Sequence, residues 1–341
     1  SSKQAEASNY PFCTIDPNVG VVEVLDPRLQ ILSDISGSAK LVYATMDFVD
    51  IAGLVAGASK GEGLGNKFLA NIRESDMIVQ VVRCFDSSEI IHVAGKVDPI
   101  NDIEVIGLEL QLADLQMIEN VLVKLEKQAK TNKEIVPVVA LMNKLKEHLD
   151  SGKPVRTFPL TDEQREWLIP YPFLSAKKVL YVANVDDASL PSMENAYVDK
   201  VRAYAANEGN SVITICAKLE AEIAELPVEE RKPFMECMGL KETGLDRLIH
   251  KSFEMLDLIT YLTTGEMETR AWTIEKGATA VEAAGEIHTD IQKGFIRAEV
   301  VAYDDFVSCQ GRGKAREMGK LRAEGREYIV KDGDVILFMH N

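Results

Sequence analysis

The stretch that decides the fold is Asp47–Asp76, "DFVDIAGLVAGASKGEGLGNKFLANIRESD". A short apolar run, "MDFVD", ends at Asp50, and glycines follow at 53, 57, 61, 63 and 65. Leu64, Phe68 and Ile72 then recur at helical spacing. Asp50, Ile51, Ala52 and Gly53 form D-x-x-G at a strand end. A carboxylate there can hold a water of a magnesium ion, and the Gly53 amide can approach a γ-phosphate because no side chain blocks it. Such contacts vanish on hydrolysis, which makes the segment a switch. Taken singly, the motif also fits a loop that merely turns.

Working outward, two further apolar runs share this design. "VLYVAN" (Val179 to Asn184) leads to Asp187, and "VITICAK" (Val212 to Lys218) ends at Lys218. Val198, Val201 and Ala205 mark a helix after the former, ending at Gly209, and "MIVQVVRCF" (Met77 to Phe85) reads as another buried strand. Strands alternating with helices predict an α/β fold with a doubly wound, mostly parallel sheet, whose ligands sit at the carboxyl ends of the strands. All three polar motifs are expected on that edge.

From Asp102 to about Asp150 the texture differs. Ile106, Leu110, Ala113, Met117, Val121, Leu125 and Gln128 lie close to a heptad stripe, and an apolar stretch, Val138 to Leu149, follows "TNKE" and Pro137. This predicts an antiparallel helical hairpin projecting from the sheet, the alternative being two helices that cover it. Beyond about Leu258 the pattern reads strand, turn, helix, strand, and ends in "YIVKDGDVILFMHN", read as two strands around a tight "KDGD" turn. That is a β-grasp-like unit of a size that folds alone. The resulting division is 1–101, 102–170 for the hairpin, 171–257 and 258–341.

Composition sets the outer bounds. The chain has 341 residues, 46% hydrophobic and 27% charged, as in globular proteins. No run approaches a membrane helix and "SSKQAEASNY" lacks a signal-peptide core, which argues for a cytoplasmic protein without a membrane partner. Five cysteines without C-x-x-C spacing indicate reduced, mostly buried thiols. A formal charge of −16 argues against a protein coated in nucleic acid. The local exception is Lys314 to Arg326, "KAREMGKLRAEGR", which fits either RNA contact or a solvated face.

Three more motifs join the first. In "NYPFCTIDPNVG", the Thr14 hydroxyl can ligate magnesium while its amide contacts the γ-phosphate. Asn184, Val185, Asp186 and Asp187 resemble the base-reading N-K-x-D of GTPases, but Val185 removes the lysine that packs beneath guanine. Cys216, Ala217 and Lys218 match the S-A-K loop whose amides approach the purine. Leu54 stands where many GTPases place a water-orienting glutamine, so intrinsic hydrolysis is expected to be slow or assisted.

In this order the motifs, with "IHVAGKVDPINDIE", "RAWTIEKGATA", "IHTDIQKGFIRAEV" and "EGREYIVKDGDVILF", make the chain resemble the YchF or Obg-like ATPase family of P-loop NTPases over essentially its whole length. The resemblance implies a G domain with an inserted coiled-coil hairpin and a C-terminal TGS domain. It also implies a cytosolic hydrolase of ATP in preference to GTP that associates with the large ribosomal subunit. Magnesium is the implied cofactor, with potassium a further candidate, and RNA contact is expected at the TGS domain and the basic patch. His92, in "IIHVAGKVDP", is the candidate for orienting or deprotonating the attacking water. Asp187 departs from the family, which more often has Glu. The family's phosphate loop, G-x-x-x-x-G-K-S, is not in the sequence, where only "SSKQAEAS" precedes Asn9. The expectation is that the sequence given is incomplete at its start. The alternatives are a GTPase of the Obg class and a nucleotide-insensitive ribosome-binding adaptor.

Overall fold

The computed structural model describes residues 18–50, 64–87 and 96–341. Thr14, Gly53, Leu54 and His92 lie outside the described residues. The chain opens with β1 (Asn18–Val24), α1 (Pro27–Ser36), β2 (Leu41–Val42) and β3 (Ala44–Asp50). Asp26 starts α1 by accepting the Arg28 amide, with Pro27 in the first turn, and Gly37 ends it at φ 62°, a conformation only glycine adopts freely. Next come α2 (Leu64–Glu74), β4 (Met77–Arg83), α3 (Pro99–Ala129), α4 (Val136–Asp150) and α5 (Asp162–Leu168). They are followed by β5 (Lys178–Asn184), α6 (Ala196–Glu208), β6 (Ser211–Ile215), α7 (Ala217–Glu225), α8 (Val228–Cys237) and α9 (Gly244–Met255). The last stretch holds β7 (Leu258–Thr264), β8 (Thr269–Glu275), α10 (Ala280–Ile287), α11 (Thr289–Lys293) and β9 (Phe295–Ala302). It closes with α12 (Tyr303–Ser308), α13 (Arg312–Glu317), β10 (Arg322–Glu324) and β11 (Asp334–His340).

Two compact units result, one from Val49–Arg247, the other from Gly20–Phe48 with Leu248–Asn341. In the first, β4, β5 and β6 form a parallel sheet in that order, with Met77 opposite Lys178 and Leu180 opposite Ser211. The β5 run Val179–Ala183 is buried throughout, as a parallel strand covered on both faces must be. The residues expected to mark α6, Val198, Val201 and Ala205, are its buried face, and Gly209 is its left-handed cap. β6 is shorter than read from sequence: it stops at Ile215, and Ala217 and Lys218 open α7.

β3 corrects the expectation of one shared edge. It pairs with β1 in a separate two-stranded sheet, so only β5 and β6 carry their polar motifs on the same carboxyl edge. Among the described residues no strand joins β3 to β4 by hydrogen bonds.

The hairpin forms, with α3 against α4 and a core of Ile118, Leu122, Leu125, Leu141, Met142, Leu145 and Leu149. The buried line differs from the heptad stripe. Met117 and Val121 are only partly buried and Gln128 is exposed, while Ile118 and Leu122 are inside. The contact line leaves the stripe by one residue at Ile118 and Leu122 and rejoins it at Leu125. The lower half of α3 faces different neighbours: Ile103 joins the sheet core, and Leu110 and Ala113 pack with Leu69 and Ile72 of α2.

In the second unit a six-stranded sheet runs β10-β9-β11-β7-β8-β2. β7 and β8 are antiparallel, β11 lies parallel to β7, and β2 adds a parallel edge on β8. One face packs on α10 through Tyr261, Ile274, Ala298, Ile336 and Phe338. The other packs Leu262, Ala271, Val301 and Val335 with Leu29 and Leu32 of α1. The C-terminus differs from its expected pair of strands: only β11 follows the "KDGD" turn as a strand, and the segment before it makes a single bridge, Ile329 to Thr279. The Asp334 carboxylate accepts bonds from the Lys331 amide (3.0 Å) and Tyr328 hydroxyl (2.7 Å), pinning that segment without a ladder.

Candidate nucleotide-binding site

The carboxyl edge of β5 and β6 gathers Asn184, Val185, Asp187, Cys216, Ala217 and Lys218. Parallel pairing brings Asn184 beside Ile215, and the Val185 amide donates to the Ile215 carbonyl at 2.8 Å, so the two polar motifs start side by side. The Asn184 Oδ1 then accepts the Ala217 amide at 2.9 Å. Across the edge the Lys218 ammonium donates to the Asp187 carboxylate at 2.5 Å. The hydrogen bond to Lys218 holds the Asp187 carboxyl below its ordinary range, and the same bond raises Lys218. Both side chains are well exposed, at 57% and 67%.

Two neighbours decide what these groups present. Asp186 is occupied: its carboxylate accepts the Ser189 hydroxyl at 2.9 Å, which leaves Asp187 as the outward acid. Asn195, the cap of α6, donates from Nδ2 to the Cys84 carbonyl at 2.8 Å and to Ser189 Oγ at 3.3 Å, fixing the loop after β5 to the end of β4. Val185 and Cys216 are buried in the sheet core at 2% and 1% exposure, so only their main chains can meet a ligand. Burial raises the Cys216 thiol, which keeps it protonated and chemically quiet.

Asp50 is the last residue of β3 and is exposed, whereas Gly53, Thr14 and His92 lie outside the described residues. Among the described residues no group of three or more His, Cys, Asp or Glu could hold a metal ion. Three cations of the basic patch are paired with carboxylates, mostly from neighbouring elements. Arg316 meets Glu299 at 2.8 Å, Lys320 meets Asp305 at 3.2 Å, and Arg322 meets Glu324 at 3.3 Å and Asp334 at 3.4 Å. Arg326 lies over the Phe295 ring and Lys314 is exposed. Among the described residues four cysteines are free thiols, of which Cys237 is exposed and Cys84, Cys216 and Cys309 are buried.

Comparison with known proteins bears on this edge. The family described as "50S ribosome-binding GTPase" matches residues 1–144. Residues 258–341 match the C-terminal family of YchF GTPases, described as "Protein of unknown function (DUF933)". The chain is 52% identical over 340 residues to the ribosome-binding ATPase YchF of Bacillus subtilis (strain 168), covering 99% of this chain and 93% of that protein. The chain belongs to the YchF family.

Other YchF proteins agree. Identity to the ribosome-binding ATPase YchF of Escherichia coli O157:H7 is 50% over 337 residues, 98% of this chain and 92% of that one. The solved YchF GTPase of Schizosaccharomyces pombe matches with a TM-score of 0.86 at 34% identity, over 99% of this chain and 92% of that chain. The fold is therefore that of a P-loop NTPase, and the protein is a nucleotide hydrolase of the YchF family.

The sequence marks the residues of the base edge but not their bonds to one another. The S-A-K match assigns Lys218 a main-chain role, whereas in the structure its ammonium is the partner of Asp187. A Lys and an Asp opening adjacent strand-end loops is the available signal. Asn195, an asparagine just before a helical run, carries only a capping signal.

Proposed function

We propose that the protein hydrolyses ATP with magnesium and works on the large ribosomal subunit as a nucleotide-controlled switch. The observation that carries the choice of base is a pair of hydrogen bonds side by side on this edge, Ala217 to Asn184 and Lys218 to Asp187. Guanine presents an acceptor, O6, and donors at N1 and N2, and adenine reverses the pattern with a donor at N6 and an acceptor at N1. In a guanine site an amide answers O6 and a carboxylate answers the donors. Here the Ala217 amide already donates to Asn184, and the Asp187 carboxylate already accepts from Lys218. The Lys218 charge also cancels the repulsion that a bare carboxylate would exert on adenine N1.

The exposed Asp50 carboxylate is a hard oxygen donor, which suits magnesium. That ion needs only one or two protein carboxylates beside nucleotide phosphates. When bound, magnesium neutralises charge developing on the phosphates. We assign Thr14 to the same ion, Gly53 to the γ-phosphate, and His92 to the attacking water. The proposed division is a G domain of 1–101 and 171–257, a hairpin of 102–170 and a C-terminal domain of 258–341. Ribosome binding is supported by the names of the relatives and of the matching family. RNA contact at Lys314 to Arg326 rests on Lys314 and Arg326, since Arg316, Lys320 and Arg322 have carboxylate partners.

Co-sedimentation with ribosomes tests the switch. ATP is expected to change the bound fraction relative to ADP, and identical binding with ATP, ADP and no nucleotide would favour a nucleotide-insensitive adaptor.

A further inference from the structure

Leu174–Lys177, the turn between the hairpin and β5, is held from four directions. The Asp114 carboxylate of α3, 1% exposed, accepts the amides of Leu174 at 2.8 Å and Ser175 at 2.7 Å. Ser175 Oγ accepts the Val155 amide at 3.1 Å, and its carbonyl accepts the Arg156 amide at 3.1 Å, which fixes the chain leaving α4. The Lys177 ammonium donates to the carbonyls of Arg73, at 3.2 Å, and Ser75. These close the C-terminal end of α2, where unpaired carbonyls and the negative end of the helix dipole attract a cation. Leu174 is fully buried with Leu69 and Ile72 of α2 and Leu110 and Ala113 of α3. Directly after Lys177 comes β5, whose last residue is Asn184.

Burying a carboxylate opposes folding unless its oxygens are satisfied. Burial pushes the Asp114 carboxyl up and the Lys177 ammonium down, so both charges are held at a cost. Their hydrogen bonds go to main-chain groups of α2 and of the turn, joined at Asp114 by the Ser175 side chain of the same turn. The arrangement therefore fixes where chain segments lie and does not merely neutralise two charges.

We propose that this turn is the joint through which α2 and the hairpin move together, with Lys177 as the positioning residue on the α2 side and Asp114 on the hairpin side. The proposal rests on the reading of the Asp50 to Gly65 loop as the nucleotide sensor, because α2 continues that loop. A shift of the α2 end drags Leu174–Lys177 through Lys177 and the shared apolar contacts, and Asp114 passes it to α3. Coupling is reciprocal, so a partner that holds the hairpin changes nucleotide affinity by the same factor.

Amide hydrogen exchange on the full chain with magnesium ATP or ADP tests this. In the unmodified protein, α2 and α3 amides near Asp114 are expected to differ between nucleotides by about fivefold or more, the lower end of allosteric coupling. Lys177→Met, which keeps the stem, is expected to leave the α2 difference and abolish the α3 difference, with Lys177→Arg restoring it. Asp114→Asn should weaken the α3 response in the same direction. An α3 response that survives Lys177→Met in full overturns the joint while leaving the sensor intact. An α2 that does not distinguish ATP from ADP in the unmodified protein overturns the sensor, and the joint with it.

Discussion

The two units use the same ion-pair chemistry for opposite ends. On the base edge, Asp187 and Lys218 face solvent, and each is held by little besides the other. In the second unit Arg28 directs Nε and Nη2 to Asp26 and Nη1 to Asp332 at 2.8 Å, with Asp26 only 12% exposed. Asp332 in turn accepts the Thr260 amide at 3.0 Å, so this group ties α1 to β7 and the "KDGD" turn. It borders a cavity of about 280 Å³ floored by Val24, Ala44, Phe253 and Ala271. An exposed pair contributes roughly 0–1 kcal/mol to stability, so its groups are kept on this edge for what they present to a ligand and not for holding the fold. A partly buried group with bonds to two partners is harder to break from one side, which suits a clamp.

The largest effect is expected from breaking the clamp. Arg28→Met leaves Asp26 with only the residue-28 amide and should destabilise the second unit by about 2–3 kcal/mol, short of the roughly 3–5 of a fully buried pair because that amide remains and Asp332 is half exposed. Urea unfolding followed by Trp272, which stacks on Tyr261, reads this. An unchanged midpoint would erase the contrast between the units.

Next comes the buried acid of the first unit. Asp114→Asn keeps one acceptor and turns the other against an amide, which should reduce stability by about 1–2 kcal/mol at neutral pH. Burial raises the folded-state pKa of Asp114. The folded chain then keeps this proton to higher pH than the unfolded chain does. Its contribution is most favourable below the ordinary aspartate range and is lost as pH rises through the raised value. Trp167, packed on the hairpin core, reports the unfolding. The difference between wild type and Asp114→Asn should change across that window, and a pH-independent difference would show that burial does not govern the group.

A smaller effect sharpens the other side of the comparison. Lys218→Met should change stability by less than about 0.5 kcal/mol, since the pair is exposed. It frees Asp187 for guanine donors and should move the ATP-to-GTP affinity ratio toward GTP by about tenfold, the low end for a hydrogen bond to a charged group. No change in the ratio would show that Lys218 plays no part in choosing the base. The smallest effect is expected at the basic patch. Reversing Lys314 and Arg326 together should lower the salt slope of ribosome binding by about 2, one for each phosphate no longer neutralised.

What the sequence makes legible is what local chemistry dictates. The Val198, Val201 and Ala205 face with its Gly209 cap needs only helical spacing and a left-handed residue. The "VLYVAN" run needs only a strand buried on both faces. The site motifs are legible as types at strand ends, but long-range pairing is not. No local signal says that β3 pairs with β1, or that Gly20–Phe48 packs with the C-terminal strands. Asp114 is visible as an acid among apolar residues of a helix, yet its purpose depends on amides 60 and 61 positions away.

Everything proposed for the base edge turns on its being closed to guanine and open to adenine. ATP and GTP dissociation constants, measured on the same preparation, decide this. The bonds of Asp187 to Lys218 and of Ala217 to Asn184 predict tighter binding of ATP, and a tenfold preference for GTP, about 1.4 kcal/mol, would overturn that reading of the edge.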